Sequence, residues 1–173
     1  ENNDLDGDGL PNDLCHIDTR IDRAVVAPVP GTGTRYEPFA LDPSPLRYDP
    51  GSMAPMGCLP GDLNEDGFTD VLVYYWGRAP IAFLRRAGSG DAALGSGSYV
   101  RAEVANTDDE WFTNAATMAD LDGDGHVDLV IGNYFQENQG IINPRATVAA
   151  QMQHSMSRAY NAGRNRILRW QGA

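Results

Sequence analysis

An acidic stretch recurs along this chain: "NDLDGDGLPND" from Asn3, "GDLNEDGFTDVLVYYW" from Gly61 and "MADLDGDGHVDLVIGNYF" from Met118. The first aspartates of the three copies, Asp4, Asp62 and Asp120, are spaced 58 residues apart. A fixed period on this scale marks stacked or radially arranged supersecondary units, each too small to bury its own apolar face. Units of approximately 1–58, 59–116 and 117–173 then account for the chain, which we read as a single domain.

Carboxylates packed this closely repel one another unless a cation sits among them. In the third copy Asp120, Asp122 and Asp124 offer oxygens at positions 1, 3 and 5, His126 offers its backbone carbonyl at 7, and Asp128 a carboxylate at 9. The second copy places Asp62, Asn64, Asp66, the Phe68 carbonyl and Asp70 in the same parts. The first offers Asp4, Asp6, Asp8, the Leu10 carbonyl and Asn12, with Asp13 one step later and Pro11 constraining the path. Hard oxygen donors in that number suit Ca²⁺, which takes six to eight oxygens, whereas zinc prefers His or Cys. Gly9, Gly67 and Gly125 supply the freedom that the sharp turn demands. An EF-hand would place a bidentate Glu at position 12. Those positions hold Cys15, Val73 and Ile131, so the loops run straight into strands instead.

The chain carries 24 acids against 13 bases, all arginine, for a formal charge of −11. That balance argues against nucleic-acid binding, which needs a positive footprint. One divalent cation in each of three loops would bring the charge to −5. With 42% hydrophobic residues the chain can build a packed core. No apolar run reaches membrane-spanning length. Glu1 opens without the apolar core of a secretion signal, as expected of a mature or trimmed product. Cys15 and Cys58 fit either one disulfide or two free thiols. With loops of the calcium type, an oxidising, extracytoplasmic location, extracellular or periplasmic, is expected.

Outside the loops the pattern is β. Val71 to Trp76 and Ile81 to Leu84 flank the turn residues Gly77 to Pro80 and predict a hairpin. Leu14 to Ile17 and Arg23 to Val29 predict a second pair. Tyr99 to Val104, Trp111 to Met118, Val127 to Ile131 and Arg166 to Trp170 predict further strands. The stretches Pro28 to Pro60 and Gly88 to Ser98 read as turns and edge strands. Between Pro144 and Tyr160, the spacing of Val148, Met152, Met156 and Tyr160 predicts a helical insert, either a packing helix or a binding flap.

"DLNEDGFTDVLVYYWG" and "DLDGDGHVDLVIGNYF" resemble FG-GAP/VCBS repeats, the calcium-loop blades of integrin-α-type β-propellers, and "AGRNRILRWQG" resembles the return strand of such blades in bacterial VCBS-repeat and ASPIC/UnbV-like secreted proteins. The resemblance covers all three units. It implies an all-β fold of about three blades, partial or part of a larger propeller, in which the loops Asp62–Asp70 and Asp120–Asp128 join the first two strands of a blade. Asn12, standing where the family usually has Asp, and the helical insert are departures from it. Closed propellers use about four to eight blades. Uncovered edges are therefore expected to recruit further blades or other copies of the chain. Cys15 and Cys58, on consecutive units, are expected to form a disulfide between neighbouring blades.

Catalytic motifs are lacking. His16, His126 and His154 are scattered, and the side chain of His126 is expected to be solvated. Asp108, Asp109 and Glu110 read as a solvated turn or a weak cation site. The expected role is a non-catalytic, calcium-stabilised, extracytoplasmic binding or assembly module, adhesion-like in character, with about three Ca²⁺ per chain and a protein or polysaccharide ligand. The alternative is a carbohydrate-binding propeller, or the accessory domain of a secreted carbohydrate-active enzyme, with Tyr74, Tyr75, Trp76 and Tyr134 as the sugar platform.

Overall fold

A computed structural model describes residues 3–29, 37–86, 94–147, 149–152 and 160–171. Among these residues, ten strands make three antiparallel sheets. The first sheet has the order β1-β2-β3, with β1 Leu14–Asp18, β2 Arg23–Ala27 and the short β3 Phe39–Ala40. Four strands in chain order form the second: β4 Ala54–Gly61, β5 Asp70–Trp76, β6 Ile81–Arg85 and β7 Tyr99–Glu103. The third has the order β10-β9-β8, with β8 Thr113–Ala119, β9 Asp128–Asn133 and β10 Arg166–Leu168. These sheets do not close on one another.

The period of two in β5 explains how the sheets pack. Val71, Val73 and Tyr75 face the first sheet and join Ile81, Phe83 and Tyr99 against Ala24, Val26, Leu5 and Leu41. Leu72 points the other way and meets Ile131 and Trp111 on the third sheet's side. A strand buried on both faces reads as a continuous apolar run, which is how Val71 to Trp76 reads. Full burial of a side chain such as Phe83 contributes about 1.5–3 kcal/mol. A disulfide joins Cys15 on β1 to Cys58 on β4, with Cα atoms 6.2 Å apart, so the expected pairing is present.

The β5–β6 turn is tight. Gly77 has φ +87, and a Cβ there would lie 2.1 Å from the Ser52 carbonyl oxygen. Strand β4 has a register shift between Pro55 and Gly57. On the third sheet, Arg166 lies 3.9 Å over the Trp111 ring and pairs with Glu137, which docks β10 at the sheet edge.

Among the described residues the helical insert expected over 144–160 is not seen, and 148 and 153–159 lie outside them. The described part, 144–147, 149–152 and Tyr160, forms turns and irregular chain. Met152 and Tyr160 are 66% and 83% exposed, so two of the four residues meant to form a packed stripe find no surface to cover. Most helical stability comes from such a packed face, which Met152 and Tyr160 do not supply. Val148 and Met156 lie outside the described residues.

Candidate metal centre

All three acidic loops are closed in the same way. The residue before the first aspartate pairs with the last aspartate, as Gly61 with Asp70 and Ala119 with Asp128. In the first loop Asn3 pairs with Asp13. Asp13, rather than Asn12, therefore stands where Asp70 and Asp128 stand, because this loop has one extra residue after Gly9. Aligning the copies from the strand side, with Asp13-Leu14 against Asp70-Val71 and Asp128-Leu129, identifies it.

These last aspartates are fully buried and work as braces. The Oδ2 of Asp13, Asp70 and Asp128 accepts the amides of Leu5, Leu63 and Leu121 at 2.6, 2.9 and 3.1 Å, the second residue of each loop. Their Oδ1 accepts the amides of Val29, Arg85 and Trp170 at 2.6, 2.7 and 3.0 Å, each just past or at the end of the following strand. One carboxylate thus pins its loop to the return strand of its own sheet.

The first aspartates fold the loop around themselves. Oδ2 of Asp4, Asp62 and Asp120 accepts the amides of Gly9, Gly67 and Gly125 at 2.9, 2.9 and 3.0 Å. These glycines have φ of +84, +85 and +90, a region that a Cβ disfavours. The fifth residue follows suit, with Oδ1 of Asp8, Asp66 and Asp124 accepting the amides of Leu10, Phe68 and His126 at 2.8, 3.0 and 2.9 Å.

Side-chain oxygens converge as a result. Asp4, Asp6 and Asp13 each place a carboxylate oxygen within 4.8 Å of the others, and Asp120, Asp122 and Asp124 do the same. In the second loop Asn64 replaces the middle acid and its Nδ2 donates to Asp66 at 3.0 Å. Asn12 Oδ1 is buried with no hydrogen-bond partner, an oxygen that a cation would satisfy. Burial pushes the Asp70 carboxyl up to about 6, against the two amides that lower it, with Asp66 and Asp62 adding to the rise. Burial also raises Asp6. The donor set, carboxylate and amide oxygens throughout, fits Ca²⁺, whose charge would relieve the repulsion among the crowded oxygens.

Links between loops were not legible in the sequence. Glu65 sits at φ +60 where the other loops have Gly7 and Gly123. Its carboxylate oxygens lie 2.7 and 2.8 Å from His126 Nδ1, and the His126 ring stacks on Trp170 at 5.9 Å. The His126 side chain is therefore bonded rather than simply solvated, and the bond to the Glu65 carboxylate raises its pKa. Arg169 pairs with Asp122 at 2.9 Å. A glycine position occupied by Glu was the available signal.

The cluster Asp108–Glu110 is tied down as well. Asp109 Oδ1 accepts from Asn138 at 3.0 Å and Glu110 Oε2 from the Gly140 amide at 3.0 Å. Of the aromatic residues considered as a sugar platform, Tyr75 is 2% exposed, and Trp76 packs edge-on to Phe112 and Phe135. Tyr75 cannot present a face to solvent.

Among the described residues, no helix is long and apolar enough to cross a membrane. No curated protein and no solved structure matches the chain. The family described as FG-GAP-like repeat matches residues 62–131, from the first aspartate of the second loop to the strand after the third.

Proposed function

We propose that this chain, an FG-GAP-like repeat protein, is a non-catalytic, calcium-stabilised segment of a β-propeller that serves as an extracytoplasmic binding or assembly module. The observation that carries this reading is the threefold brace, Asp13, Asp70 and Asp128, each fixing an acidic loop to its return strand. A bound Ca²⁺ would supply the positive charge that lets the loop oxygens converge. Asp4, Asp6, Asp8, Asn12, Asp13 and the Leu10 carbonyl would hold it in the first loop. Asp62, Asn64, Asp66, Asp70 and the Phe68 carbonyl would do so in the second, and Asp120, Asp122, Asp124, Asp128 and the His126 carbonyl in the third. Cation binding of this kind adds to folding free energy. The Cys15–Cys58 disulfide supports an oxidising, extracytoplasmic location.

Each sheet is then a blade, and the assembly role follows from one repeated position. Leu5 is fully buried against the second sheet, and Leu63 packs against residues of the third. Leu121, at the same place in the third loop, is 47% exposed, and Ile167 on β10 is 60% exposed. The outer face of the third sheet has the apolar character that the other two bury, and a further blade or another copy of the chain would cover it. The carbohydrate platform is the weaker reading, since Tyr75 is lost to the core.

Light scattering in calcium and in chelator tests the assembly role. Association in calcium that Leu121→Asp weakens supports it, and a clean monomer at micromolar concentration in both conditions argues against it.

A further inference from the structure

The second and third loops are joined by Glu65 and His126, but the first and second are joined differently, through Arg85 at the end of β6. The Arg85 amide donates to Asp70 Oδ1 at 2.7 Å. Its guanidinium reaches across to the first loop, where Nη1 donates to the Leu5 carbonyl and Nη2 to the Asp6 carbonyl, each at 2.8 Å. The same guanidinium lies 5.3 Å from the centre of the Phe68 ring, inside the second loop. Thr69 adds a second tie, its Oγ1 donating to the Asp4 carbonyl at 3.0 Å. The equivalent residues of the other units, Val29 and Trp170, share only the amide bond to their aspartates.

We propose that Arg85 is a positioning residue that couples the first two acidic loops, so that a divalent cation bound in one raises the affinity of the other. The proposal rests on the calcium reading above. Ordering Asp70 fixes the Arg85 backbone, and the planar fork of the guanidinium then holds two successive carbonyls of the first loop. Fixing Leu5 and Asp6 in turn sets Asp6, a candidate ligand, and the Leu5 amide that donates to the Asp13 brace at 2.6 Å. Coupling of this sort is reciprocal, so the first loop acts equally on the second. Lys cannot reproduce the tie, because a single ammonium lacks the rigid pair of donors. An opposing effect operates in the same place: the positive charge of Arg85 repels a cation in the first loop. The proposal holds that the ordering outweighs that repulsion.

Calcium titration by calorimetry on the chelated full chain tests it, in a background of Asp120→Asn and Asp124→Asn that silences the third loop. The chain with Arg85 should fill its two remaining loops cooperatively. Arg85→Met and Arg85→Lys should both weaken calcium binding at the first loop on the order of tenfold and abolish the cooperativity. Thr69→Val, which leaves the fork intact, should have a smaller effect. Thermal melting of each chelated variant reports folding, and if Arg85→Met does not fold, Arg85→Lys carries the comparison. Equal or tighter binding by both Arg85 variants, or full rescue by Lys, overturns the proposal. Absence of calcium binding in the chain with no substitution overturns the calcium reading itself, and the proposal with it, which distinguishes that failure from one confined to Arg85.

Discussion

Asp128 Oδ1 accepts the amide of Trp170 at 3.0 Å, joining residues 42 positions apart. The same carboxylate holds Leu121, so its removal leaves two amides without an acceptor. Each unsatisfied buried group costs about 1–3 kcal/mol, and partial exposure of both amides lowers that toward about 2 kcal/mol in total for Asp128→Ala. Urea unfolding of the chelated chain measures this brace apart from any cation. An unchanged midpoint would show that the brace contributes nothing.

The disulfide between Cys15 and Cys58 closes a segment with a sequence separation of 43. In the chain-entropy account a loop of this size stabilises by about 4 kcal/mol. Cys58→Ser should therefore lower stability by several kcal/mol, and reductant should have the same effect on the parent chain. The comparison is read from paired denaturation curves.

Gly77→Ala should be strongly destabilising, by more than about 1 kcal/mol, since φ is +87 and the added Cβ meets the Ser52 carbonyl oxygen at 2.1 Å. Gly97→Ala is the control, because nothing lies within 4 Å of the added atom and its φ is not positive. Equal melting temperatures for the two variants would contradict the strain argument.

Burial raises the pKa of Tyr75, with Tyr48 and Glu103 adding to the rise and Arg78 and Arg23 opposing it. The folded chain thus keeps this phenol protonated above the unfolded value of about 10. Its contribution to stability is fully present below that pH and is lost as pH rises through the interval between the unfolded and folded values. Burial raises Tyr99 as well, so phenolate absorbance followed against pH should show Tyr75 and Tyr99 ionising together with unfolding. In Tyr75→Phe, the alkaline loss of stability should be smaller.

The β5–β6 hairpin was legible because Val71 to Trp76 is β-branched and aromatic and Gly77 to Pro80 is turn chemistry. Strands β1, β2, β7 and β10 were readable on similar grounds. Strand β4, at the edge of its sheet, was covered only by the reading of Pro28 to Pro60 as turns and edge strands, without bounds, since Pro55, Gly57, Pro60 and Gly61 all disfavour a strand. It exists because β5 offers a ladder along its whole length, with a bulge taking up the irregular start. The acidic loops were legible as motifs, yet the extra residue in the first displaced its last aspartate from Asn12 to Asp13. The side-chain ties, Glu65 to His126 and Arg85 to Leu5 and Asp6, depend on how neighbouring sheets sit and leave no periodic trace. Tyr75 stood among the platform residues of the alternative reading because an aromatic run does not reveal which of its alternating side chains the core covers.

Calorimetric titration of the chelated chain with calcium, with thermal melting alongside, tests the central claim most directly. The account predicts one ion for each of the three acidic loops and a melting temperature that rises with calcium concentration. No heat of binding and an unmoved melting temperature would contradict it, leaving the acidic loops as turns held by their own amides.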